Sequence, residues 1–191
     1  MRATAHGLTL IELLATLLVL ATLLHLATPA FTSLYRREQS TAALNGLIGA
    51  VNLARASAIT LNRSVVLCPS DARDKTAGCA ARNQWHLGAL VFADSNHNGQ
   101  HNSSEPILRR VPGWQDGATV SWRSFRNRSY LRFKGSGLTD WQNGSFTWCP
   151  EERTLTEAVQ VVVNAAGRTR IARDSDHDGI AEDSNGKPLR C

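Results

Sequence analysis

The 191-residue chain has no pair of cysteines at Cys-x-x-Cys spacing and no Cys/His quartet, which argues against a structural zinc site. It has no glycine-rich loop that could cradle phosphate, no hydroxyl or thiol arranged as an activated nucleophile, and no site for a metal-activated water. Those absences remove the usual routes to catalysis. The expectation is a protein that is not an enzyme and needs no resident cofactor. Low-complexity tracts and internal repeats are also missing, which excludes solenoid and tail-dominated organisations. One long apolar run is present, yet no Ala-x-Ala site follows it, so it does not read as an ordinary cleaved secretory signal.

What is there is a chain of ordinary globular composition, 42% hydrophobic and 19% charged, with a formal net charge of +5. That excess favours polyanions only where it is clustered. The four cysteines, Cys68, Cys79, Cys149 and Cys191, suit two disulfides in an oxidising compartment. Three pairings are open. The expected one joins Cys68 to Cys79, closing a polar loop, and Cys149 to Cys191, pinning the C-terminal tail, each contributing roughly 3 kcal/mol.

The apolar run extends from Leu8 to Ala27, interrupted by Thr9, Glu12, Thr16, Thr22 and His25. About twenty helical residues span a hydrocarbon core of about 30 Å. Arg2 and Gly7 precede the run, so a short leader is expected to be lost while the apolar helix stays. Glu12 is a carboxylate inside that helix, costing up to about 3 kcal/mol at mid-bilayer, and such a charge calls for a partner. Farther on, Leu44, Leu47, Val51, Ala54, Ala58 and Leu61 recur at spacings of three and four, the stripe of an amphipathic helix that buries against a sheet. After residue 62 the pattern changes to short β runs at 64–68, 87–93, 107–111, 119–124, 129–134, 145–149, 159–164 and 168–172. The fold expected is α+β, one long N-terminal helix packed on an antiparallel sheet domain.

Gly7 followed by Leu8-Thr9-Leu10-Ile11-Glu12 resembles the class III signal of type IV prepilins and pseudopilins. The resemblance implies cleavage by a prepilin peptidase between Gly7 and Leu8, N-methylation of Leu8, and pairing of Glu12 with a neighbouring subunit's N-terminal amine during assembly. It implies a leader at 1–7, a membrane and filament-core helix at 8–30, an amphipathic half-helix at 31–62 and a β-rich domain at 63–191. Leu67-Cys68-Pro69, Cys79, Trp85-x-x-Gly88, Val91-Phe92-x-Asp94, Asn98-Gly99 and Glu105 with Leu108-Arg109 are similar to landmarks of the GspH/FimT family of minor pilins and pseudopilins. That resemblance implies a single-pass inner-membrane protein with its globular domain in the periplasm, later built into a surface fibre with major and minor pilins.

Gly167-Arg168-Thr169-Arg170-Ile171-Ala172-Arg173 resembles the C-terminal Gly-Arg-x-Arg-x-x-Arg signature of the FimT branch, which implies DNA binding and support of DNA uptake in natural transformation. On a strand, Arg168 and Arg170 share a face, and guanidinium groups pair bidentately with phosphate. Arg132 and Lys134 alternate with Leu131 and Phe133, which predicts a second exposed basic face. The competing roles are a GspH-like pseudopilin of type II secretion and a minor pilin that only primes pilus assembly. Two loops have calcium-like spacing: Asp94-x-Asn96-x-Asn98-Gly99 with Glu105, and Asp174-x-Asp176-x-Asp178-Gly179, which has Asn185 where a closing Glu belongs. The blander accounts are an Asn/Gly-rich hairpin and a flexible acidic tail.

Overall fold

The computed structural model describes residues 9–114 and 117–191, with backbone only at 24, 26–30, 32 and 33. The cleavage site expected at Gly7 and Leu8 lies outside the described residues. One helix, α1 (Leu10–Leu61), opens the chain, and two compact units follow the contacts, residues 1–38 and 39–191. In the first unit α1 leaves Leu10, Ile11, Leu13, Leu14, Leu17 and Leu18 exposed, an apolar surface among the described residues.

In the second unit α1 buries Ala43, Leu47, Ala50, Val51, Ala54 and Ala58. The spacing is that of one helical face, and the stripe holds because its small residues admit close neighbours. Leu44 is partly buried beside it, whereas Leu61, at the helix end, is exposed. Eight strands follow: β1 (Val65–Pro69), β2 (Ala89–Ala93), β3 (Ile107–Val111), β4 (Thr119–Ser124), β5 (Leu131–Phe133), β6 (Gly144–Cys149), β7 (Val159–Val163) and β8 (Thr169–Ile171). They form two antiparallel four-stranded sheets, ordered β3-β2-β1-β5 and β4-β6-β7-β8, the antiparallel sheet domain behind one long helix that was expected. Strands β1 and β2 are buried at every position, while β4 alternates exposed and buried residues. The first sheet is thus covered on both faces at β1 and β2, its β3 edge is partly open, and the second sheet is covered at β4 on one face.

The two inner faces and the α1 stripe meet in one core containing Leu67, Val91, Phe133, Phe146, Trp148 and Val161. Trp122 stacks on Phe146 with ring centroids 4.3 Å apart, and Trp85 meets the same ring edge-on at 4.9 Å. A second cluster of Val66, Cys68, Leu90, Phe92 and Tyr130 covers the outer face of the first sheet. Disulfides join Cys68 to Cys79 and Cys149 to Cys191. The second of these holds the tail against a small cluster of Cys149, Ala158 and Leu189.

Phe146 joins aromatic partners on both sides, so Phe146→Ala is expected to cost about 3–5 kcal/mol in urea unfolding. Phe125, 78% exposed, is the control: Phe125→Ala should stay within about 0.5 kcal/mol of wild type.

Candidate functional site

Glu12 sits in the first turn of α1 and has a local role in the isolated chain. The Thr9 amide and the Thr9 hydroxyl each donate to Glu12 Oε2 at 2.9 Å, and the Glu12 amide donates to Thr9 Oγ1 at 3.3 Å. This is a reciprocal capping box, which satisfies amides that the helix start leaves without partners. Thr-x-x-Glu before an apolar run is a legible signal for it, and reading Glu12 for assembly alone passes over that signal.

The arginine motif begins with a turn that needs glycine. Gly167 has φ +72°, its amide donates to Asn164 O at 2.9 Å, and an added Cβ would lie 2.5 Å from Gly137 O. The turn delivers Arg168 to the start of β8, where its amide donates to Asn164 Oδ1 at 2.9 Å. The strand is shorter than its expected span of 168–172, but Arg168, Arg170 and Arg173 are all exposed. None of the three is in an ion pair among the described residues. Arg170 and Arg173 also line a groove of about 840 Å³ together with Asp176, Glu182 and Asp183. Carboxylates therefore share a groove with two of the motif's arginines.

Arg132 is not part of this surface, and here the structure corrects the expectation of an exposed basic face. All three residues of β5 are buried. The Arg132 side chain is 10% exposed and donates through Nη2 to Asp94 Oδ2 at 2.9 Å and to His97 O at 2.8 Å. Nη1 reaches Asp140 Oδ2 at 3.3 Å, and the guanidinium lies 5.2 Å from the Tyr130 ring centroid. The alternation argument fails because loop 94–105 covers this face of the first sheet. Lys134 is exposed, as expected, but its Nζ pairs with Asp140 Oδ1 at 3.1 Å. Partial burial works against the Asp140 charge. The Lys134 hydrogen bond and charge, with Arg132 behind them, outweigh that and hold the carboxyl below its ordinary value of 3.8.

The two calcium-like loops share one backbone design. In the first, the Gly99 amide donates to Asp94 Oδ2, the Gln100 amide to Asn98 Oδ1 and the Ser95 amide to Glu105 Oε1. In the tail, the Gly179 amide donates to Asp174 Oδ2, the Ile180 amide to Asp178 Oδ1 and the Ser175 amide to Glu182 Oε2. His97 and His177 both have positive φ, 60° and 67°. The difference is charge. The Arg132 guanidinium sits on the first loop, whereas the tail loop gathers Asp174, Asp176, Asp178 and Glu182, one oxygen from each within 4.8 Å of the others. Glu182 Oε1 is buried and accepts no hydrogen bond. Glu182 is the ligand candidate the sequence reading missed by looking to position 185.

A family model described as Type II transport protein GspH matches residues 43–167. No curated protein matches the chain in sequence. Among solved structures, the chain is similar to the type IV minor pilin FimU of Pseudomonas aeruginosa, with a TM-score of 0.52 and 16% identity over 70% of this chain and 92% of that one. It is also similar to the minor pseudopilin EpsH from the Type 2 Secretion System of Vibrio cholerae, with a TM-score of 0.50 and 10% identity over 70% of this chain and 95% of that one. The fold, an N-terminal helix followed by antiparallel sheets, is the one these proteins share.

Two outcomes follow from the Arg132 network. Arg132→Gln leaves Asp94 buried without a counter-charge and should cost about 3 kcal/mol or more in urea unfolding, an effect far larger than an exposed arginine would give. For Asp140 the folded value lies below the unfolded one, so its contribution is full above about pH 4 and is lost as pH falls through the lower folded value. Melting curves of wild type and Asp140→Asn should differ at neutral pH, and the gap should narrow as the pH falls below about 4; a gap that does not narrow in acid would contradict this.

Proposed function

Because the chain belongs to the GspH family, we propose that it is a minor pilin of a type IV pilus that binds DNA non-specifically and supports its uptake in natural transformation. The observation that carries the reading is the exposure of Arg168, Arg170 and Arg173 on and beside an edge strand. Guanidinium groups are suited to phosphate, and phosphate contacts carry no sequence information. Lys134 is exposed but paired with Asp140, and Arg132 acts inside the fold. The groove carboxylates oppose a polyanion, so one subunit binds weakly and several along a fibre bind through avidity. The mature protein is anchored by the apolar helix in the inner membrane before assembly with other pilins. Prepilin peptidase processes it after Gly7 and methylates Leu8, and Glu12 exchanges its capping role for a neighbour's amine.

The second reading is a GspH-like minor pseudopilin of type II secretion, or a subunit that only primes assembly. It is favoured by the description of the matching family model and by the likeness to EpsH. In either reading the tail loop is a calcium candidate of the weak extracellular class, with Kd on the order of 10⁻⁴–10⁻³ M. Its donors are Asp174, Asp176, Asp178 and Glu182.

With about three phosphates neutralised, affinity for duplex DNA should fall about 40-fold between 50 and 200 mM salt. In a gel shift with the full-length protein in detergent, Arg168→Gln/Arg170→Gln should lose most binding; unchanged affinity rejects the motif as the contact. A deletion strain that loses transformation but keeps twitching supports the DNA reading, and one that assembles no pilus supports the priming role. Calorimetry with millimolar calcium should show binding to wild type and none to Asp176→Asn/Asp178→Asn; a silent wild-type titration removes the calcium site.

A further inference from the structure

We propose that the DNA surface continues across the second sheet from Arg170 to Arg123 and ends in a rim formed by Phe125 and Trp141 that stacks the bases of single-stranded DNA. This rests on reading the arginine motif as a DNA contact and adds to it a second arginine site and a strand preference.

The register supplies the geometry. Arg123 on β4 lies opposite Ser145 on β6, Ser145 opposite Val162 on β7, and Val162 opposite Arg170 on β8. Residues directly opposed across strands share a face. The adjacent row, Trp122, Phe146, Val161 and Ile171, faces the other way, and its first three members are in the core. The row from Arg123 to Arg170 therefore points away from the core, and both arginines are exposed. Three strand spacings separate them, about 14 Å. Between them lie only Ser145 and Val162, both partly exposed, so a nucleic-acid backbone can approach the sheet closely.

The aromatics stand at the Arg123 end. The Phe125 amide donates to Asn143 O at 2.9 Å, bringing the end of β4 beside the segment that carries Trp141. Phe125 is 78% exposed and Trp141 62%. Among the described aromatics of the second unit these are the exposed ones; the tryptophans and phenylalanines at 85, 92, 122, 133, 146 and 148 are buried. Trp141 also has φ +57°, a backbone conformation that costs a bulky residue energy and that clusters at functional positions. Exposed rings beside arginines match the way proteins bind single strands, the cations following the phosphates while the rings stack unpaired bases. A duplex hides its base faces, so the rim should add little there.

The test is fluorescence anisotropy with the full-length protein in detergent, titrated against a labelled thymidine oligomer and against a mixed-sequence duplex of equal length. Wild type should bind the single strand more tightly. Phe125→Ala/Trp141→Ala should weaken single-strand binding about tenfold or more and change duplex binding little, while Arg123→Gln should weaken both several-fold. Circular dichroism checks that each variant keeps its fold. If Arg168→Gln/Arg170→Gln abolishes binding while the aromatic and Arg123 variants match wild type, this inference falls and the motif reading stands. If wild type binds neither polymer, both fall. Loss of filament assembly with DNA affinity intact in the aromatic variant makes the rim a subunit contact and also overturns the proposal.

Discussion

The structure depends on one buried stripe, the face of α1 running from Ala43 to Ala58. Neither sheet closes its own apolar face. Leu67, Val91 and Phe133 of the first sheet and Phe146, Trp148 and Val161 of the second meet around that stripe in a single core. Alanines make up most of it, and their small side chains allow strands to lie close to the helix, where packing rather than hydrophobic area alone sets the fit. Preceding the stripe, the same helix presents leucines to its surroundings.

The buried pair of Arg132 and Asp94 is a second constraint. Charges taken out of water cost several kcal/mol each unless their geometry and remaining hydrogen bonds compensate. Here Asp94 holds the amides of Asn98 and Gly99 together with the guanidinium, which binds the loop after β2 to β5. The tail loop repeats the same backbone design with carboxylates where the first has amides, and without the arginine. One scaffold is completed by a side-chain cation; the other is left acidic beside the arginine motif.

Much of this was legible in the sequence, in proportion to how local the signal was. The α1 stripe could be read because helical period survives any tertiary context, and the β runs because turn residues separate them. The arginine motif announced its turn through Gly167, whose positive φ and close approach to Gly137 O allow no side chain. Arg132 could not be placed that way. Alternation says which residues share a face, and says nothing about a loop 38 positions earlier, at Asp94, that folds over it. The division into two sheets and the row joining Arg123 to Arg170 depend on register between strands far apart in the chain. Glu12 was a different case, since its capping partner lies three residues away and the charge invited a more distant explanation.

If this chain is matured as a prepilin and built into a fibre, as proposed, its N-terminus carries the record. Mass spectrometry of the N-terminal peptide, taken from sheared surface filaments, measures it most directly. The expected peptide begins at Leu8 and carries one added methyl group on its amine. A chain that retains Met1, starts elsewhere, or is missing from filaments that other pilins form would contradict it.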